Sequence, residues 1–229
     1  MRRLRELVSA VTARHPLDSF FAEFEESCRR NLSKRKTYRT YADAFRLLDS
    51  ESWAILKDKS IAHFLDHRPG QLKQGFFNQL NEAFAYRHLV RLGFTRVRVL
   101  KELGRRTPDI QYFNGGRPRF CEVKTISISD EEIARRGSGK AFSNVYLRLS
   151  DPFLKKFTST VNLAREQIAA AGEGGLVYVI ILWDDIALDN YRTYREQLKK
   201  SALDLKFADV HVKVGLRFNR RMRLTTACR

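Results

Sequence analysis

Residues 108–126 read PDIQYFNGGRPRFCEVKTI, and the rest of the chain is read outward from them. Two runs rich in aromatic and β-branched residues, 110–113 and 119–126, flank Asn114-Gly115-Gly116. Asn-Gly and Gly-Gly pairs supply the positive φ angles of a tight turn, so two adjacent strands are predicted. Side chains alternate along a strand, which puts Glu122 and Lys124 on one face and Cys121, Val123 and Thr125 on the other. Asp109 opens its own strand after Pro108. If the strands pair as a hairpin, Asp109 and Glu122 converge on one hard divalent cation, which prefers carboxylate oxygens and keeps several waters. Lys124 then lies beside the cation or a phosphate. Such a set can generate a nucleophile and neutralise charge on a phosphodiester.

On the N-terminal side of this stretch, residues 71–92 carry a helical pattern stopped by Gly93, and 96–100 alternate like a half-buried strand. On the C-terminal side, 127–150 are irregular. A helix is predicted over 151–171, with Ser150 or Asp151 as its cap and Pro152 in its first turn. Residues 176–182 form a continuous β-branched and aromatic run, as in a buried central strand. A further helix over 191–205 and a strand over 210–214 follow. The order helix, three strands, helix, strand predicts an α/β unit with a central mixed sheet flanked by helices.

Residues 1–68 read as a helical N-terminal region. Leu4, Leu7, Val8 and Val11 fall at helical spacing. Pro16 is expected in a first turn, with Leu17, Phe20, Phe21, Phe24 and Cys28 forming one apolar face. Residues 31–39 read as a polar, basic break, and two more helices are expected around 41–48 and 52–66. Arg68-Pro69-Gly70 is the sharpest punctuation in the chain and divides region 1–68 from a domain over 69–229. That domain ends in a basic tail.

Pro108-Asp109 followed by Glu122-Val123-Lys124 resembles the motif of the PD-(D/E)xK nuclease superfamily. The resemblance covers residues 71–182. It implies a restriction-endonuclease-like core and a hydrolase that cleaves phosphodiester bonds, probable substrate DNA. Asp109 and Glu122 would bind Mg²⁺ or Mn²⁺. Glu82, in the first core helix, would complete or support that site, and Lys124 would position the attacking water. Gln167, in the second core helix, would orient the water or Lys124. A second acid-x-Lys triplet, Asp204-Leu205-Lys206, has no Pro-Asp strand before it and is read as a decoy.

Charge points to the same class of partner. Lys and Arg number 43 against 26 acids, a net charge of +17. Polyanions collect on such a surface. After Asp209 there is no acid, while six Lys or Arg residues follow. Arg135, Arg136 and Lys140 on a Gly-Ser loop, and Arg220 and Arg221 in the tail, are the candidate contacts to a nucleic-acid backbone. The longest apolar run, 176–183, is too short to cross a bilayer, so no membrane association is expected. Three widely spaced cysteines suit a reducing cytoplasm. His63 and His67 sit at i, i+4 but lack a third ligand. No phosphate-cradling Gly-rich loop occurs. The N-terminal region is expected to act in substrate binding, dimerisation or partner docking. The competing reading is a non-catalytic nucleic-acid-binding protein, or an adaptor in a defence or repair complex, on the same scaffold.

Overall fold

The structure is a computed structural model. It describes the chain apart from residues 68–70, 103–106, 128–137, 139–146, 173, 183–189, 204–208, 217–220 and 225–229. The chain is α/β and divides into two compact units. The first comprises Met1–Lys101 and Ile110–Gly116; the second comprises Glu102–Asp109 and Arg117–Arg229. Residues 68–70, where the sequence punctuation lies, are outside those described.

Among the described residues the first unit carries the helices α1 (Arg2–Arg14), α2 (Phe24–Arg30), α3 (Leu32–Phe45), α4 (Ser50–Ala62), α5 (Gln74–Leu80) and α6 (Glu82–Arg91). It also carries β1 (Thr95–Val99) and β2 (Ile110–Asn114), which pair antiparallel. α1 buries Leu4, Leu7 and Val11, three of the four residues whose spacing predicts it. The long helix expected over 71–92 is divided at Asn81, whose buried side chain accepts a 2.9 Å hydrogen bond from the Tyr41 hydroxyl. Burial raises the Tyr41 pKa and keeps that hydroxyl a donor.

Two expectations need correction. Residues 16–28 are not one helix. A short 3₁₀ turn, Ser19–Phe21, precedes α2, and Leu17 is fully exposed while Phe21, Phe24 and Cys28 are buried. The Asp18 side chain accepts from Phe20 N and starts that turn, so the apolar spacing is split between two short elements. Residues 31–39 are not a break either. They form most of α3, because Asn31 caps it by accepting from Lys34 N at 2.9 Å, and Tyr38, Tyr41 and Phe45 anchor its inner face. Replacing Asn31 by alanine is expected to cost about 1 kcal/mol, the usual value of such a cap, as read from urea unfolding.

The second unit contains β3 (Arg117–Ile126), α7 (Asp151–Ala171), β4 (Gly175–Ile181), α8 (Tyr191–Leu203), β5 (Asp209–Val214) and β6 (Arg221–Arg223). β3, β4 and β5 run parallel, and β6 returns antiparallel to β5. Parallel strands buried on both faces need continuous apolar runs, and β4 has one. Val177, Val179 and Ile181 face the same core as Val210, Val212 and Val214, together with Phe157, Val161, Ala164 and Ile168 of α7. Ser150 caps α7 and Pro152 sits in its first turn. Gly175 pairs with Phe120, and a Cβ there would stand 2.1 Å from the Phe120 carbonyl oxygen, so only glycine fits the strand start.

Part of the basic C-terminal segment is structural. Lys213 is buried and donates to the carbonyls of Gly215 and, at 3.1 Å, Leu216. Arg223 pairs with Asp209 at 2.8 Å, and Met222 and Leu224 enter the core. β6 is short and half basic, so no strand pattern stands out there in the sequence. No described helix is long and apolar enough to cross a membrane.

Candidate active site

The site is built on β3 and α7. In the β3–β4 register, Glu122 pairs with Val177 and Lys124 with Val179, whose side chains belong to the core under α7. Glu122 and Lys124 therefore project from the sheet face that α7 covers. Glu122 is almost wholly buried, with 3% of its side chain exposed, whereas Lys124 keeps 28%. A buried carboxylate costs several kcal/mol unless it is paired. Lys124 Nζ supplies the pairing, donating to Glu122 Oε1 at 2.7 Å. The same ammonium donates to Gln167 Oε1 at 2.8 Å.

Asp109 approaches β3 through its backbone. Its Oδ2 accepts a 2.7 Å hydrogen bond from Val123 N, the amide between Glu122 and Lys124 in sequence. Pro108 is buried and Asp109 half-buried, so the acid is pinned at its base.

Gln167 lies at the rim of the buried stripe of α7, next to Ile168. Thr160 and Leu163 precede it at seven and four residues and share its side of the helix. These three residues and Lys124 line a depression of about 360 Å³. Thr160 and Leu163 were not singled out in the sequence reading; their spacing with Gln167 is the signal that could have found them.

Across the described residues of the chain, no known family model, curated protein or solved structure is a match.

Of the residues read from the sequence, Glu122, Lys124 and Gln167 are thus brought together on β3 and α7, and Asp109 is tied to β3 through the Val123 amide. Glu82 belongs to the first unit. It begins α6, is buried, and accepts from Lys59 Nζ of α4 at 2.6 Å. Lys59 was not anticipated, because nothing in the α4 sequence marks it from any surface lysine. Among the described residues no group of three or more His, Cys, Asp or Glu is gathered as for a metal ion. His63 instead contacts Asp66 at 2.6 Å, and His67 contacts the Leu65 carbonyl at 2.7 Å. Arg135, Arg136, Lys140 and Arg220 lie outside the described residues, as do Asp204 and Lys206. Of Arg221 only its place in β6 is described.

The donor set is chemically suited to a hard cation. Two carboxylates and no thiolate or imidazole favour Mg²⁺ or Mn²⁺ over Zn²⁺. Mg²⁺ is commonly held by one or two carboxylates and retains the remainder of its shell as water.

Proposed function

We propose that the protein is a metal-dependent nuclease with a restriction-endonuclease-like core, hydrolysing phosphodiester bonds of nucleic acid, with DNA as the first substrate to test. The observation that carries this reading is the placement of Lys124. Its ammonium is held between a buried carboxylate and a glutamine amide, on the wall of a solvent-reachable depression. A lysine serving only the core would be buried; this one is partly exposed at a polar cluster.

Each side chain then has a task. An ammonium has three donors. Glu122 and Gln167 take two, which fixes the direction of Lys124 and leaves one for a water or a phosphate oxygen. The charge of Lys124 offsets the negative charge growing on the phosphoryl oxygens in the transition state. Gln167 restrains the lysine from the α7 side. Asp109 and Glu122 are the residues that would hold Mg²⁺ or Mn²⁺. When bound, the cation supplies water activation and polarisation of the phosphoryl group. Water attacks phosphorus and gives up a proton to solvent, the bond to the leaving oxygen breaks, and that oxygen takes a proton from solvent.

Asp109→Asn tests the metal assignment. The amide oxygen can still accept from Val123 N, so the fold is expected to persist with an unchanged melting midpoint. Loss of the formal charge is expected to abolish tight Mn²⁺ binding in calorimetry. Wild-type Mn²⁺ affinity in this variant would remove Asp109 from the site.

A further inference from the structure

The sequence segment from Ser27 to Ala42 contains six Lys or Arg residues and no acid. In the structure it spans the end of α2 and most of α3, and its bases are not scattered around the helix. At 100° per residue, Arg35, Arg39 and Arg46 fall on one ridge, with Lys36 beside it. Arg46 immediately follows the last residue of α3 as its C-cap. All four side chains except their stems stand in solvent: Arg35, Lys36, Arg39 and Arg46 are exposed. Among the described residues none of the four forms an ion pair, whereas Arg5, Arg30, Lys57 and Lys59 of the same unit each have a carboxylate partner. Asp43 is the one acid on this arc.

The opposite face of α3 is committed to the core through Tyr38, Tyr41, Ala42 and Phe45. Tyr41 packs on Phe84 with ring centroids 4.8 Å apart. The ridge is therefore held rigidly outward. From Arg35 to Arg46 it runs about 16 Å at the rise of an α-helix, a length over which a duplex presents roughly ten phosphates. Exposed, unneutralised guanidinium groups on a rigid rod are suited to phosphate oxygens, which they engage in bidentate fashion. A lipid surface fits less well. An interfacial helix inserts its apolar face, and the apolar face of α3 is buried in protein.

We infer that the outer ridge of α3, Arg35, Arg39 and Arg46 with Lys36, is a docking site for the phosphate backbone of nucleic acid, carried by the first unit. It binds in a sequence-independent manner. The inference does not rest on the nuclease reading, because binding is measured in EDTA, where no cleavage is required.

The test uses the full chain and a fluorescent oligonucleotide of about 30 nucleotides, as single strand and as duplex, over a range of salt. The triple variant Arg35→Gln, Arg39→Gln, Arg46→Gln is expected to bind at least about tenfold more weakly near physiological salt, with the log–log salt slope reduced by about 2 to 3. Arg192→Gln, Arg195→Gln, Lys199→Gln removes the same formal charge from the exposed face of α8 and is expected to leave the slope nearly unchanged. The single reversal Arg39→Glu, at an exposed position, guards against a folding artefact and is expected to weaken binding with an unchanged melting midpoint. Wild-type affinity and slope in the α3 triple variant would overturn the inference. Equal losses in both triple variants would also overturn it, since binding would then follow net charge alone. Anionic phosphatidylserine vesicles form the last arm: ridge-dependent vesicle binding with intact oligonucleotide binding would reassign the ridge to a membrane surface.

Discussion

Lys124→Ala is expected to lower the single-turnover cleavage rate by about a hundredfold or more, the scale of losing one preorganised charge-stabilising donor. Only interactions that strengthen in the transition state accelerate the chemical step, and the charge of Lys124 matters most as the phosphoryl oxygens gain negative charge. Substrate affinity is expected to change little, because many other bases share the phosphate contacts. The truncation also leaves Glu122 and Gln167 without their shared donor. The unfolding midpoint is therefore measured on the same preparation, and a loss of about 1–3 kcal/mol is expected from the buried carboxylate. Lys124→Arg separates the two effects. It keeps a cation against Glu122 and is expected to restore stability, yet a planar guanidinium does not reproduce a compact ammonium and cleavage is expected to stay low. Lys206→Ala, in the second acid-x-Lys triplet, is expected to cleave like the unaltered chain.

Lys59→Ala is expected to destabilise the first unit by about 3–5 kcal/mol, because it removes the Lys59 ammonium from the buried Glu82 carboxylate. The Lys59 and Glu82 side chains are 8% and 4% exposed, too little for water to take over the lost contact. Replacing both, as Lys59→Met with Glu82→Leu, removes the charges together and is expected to recover most of the loss, since apolar substitutes for a buried pair are often neutral or better. Urea unfolding of the single and double variants reads the difference.

The sequence was most legible where local chemistry and packing agree. The turn at Gly115 and Gly116 was readable because both residues take positive φ, 57° and 78°, which few other residues adopt cheaply. β4 and α7 were readable because their apolar patterns coincide with full burial. The first part of α3, residues 31–39, reads as a break because its exposed face is strongly basic and Tyr38 is its one buried residue, whereas the helix expected from residue 41 coincides with the rest of α3 through Tyr41 and Phe45. Residues 16–28 show the reverse. Apolar spacing ran on through Leu17, but the side-chain bond from Asp18 to Phe20 N starts a tighter turn and leaves Leu17 in solvent. At the site, strand alternation placed Glu122 and Lys124 together on one face of β3. The contact between Lys124 and Gln167 is between residues 43 apart and depends on how α7 lies over β3, which spacing alone does not encode. The Glu82–Lys59 pair is of the same kind.

Cleavage by the unaltered chain tests the central claim most directly. Labelled single-stranded and duplex DNA and RNA are incubated with the unaltered 229-residue chain in Mg²⁺, in Mn²⁺ and in EDTA, and the products are resolved by length. The account predicts cleavage of at least one substrate with Mg²⁺ or Mn²⁺, and none in EDTA. Binding of every substrate without cleavage in either metal, or cleavage that persists in EDTA, would contradict it.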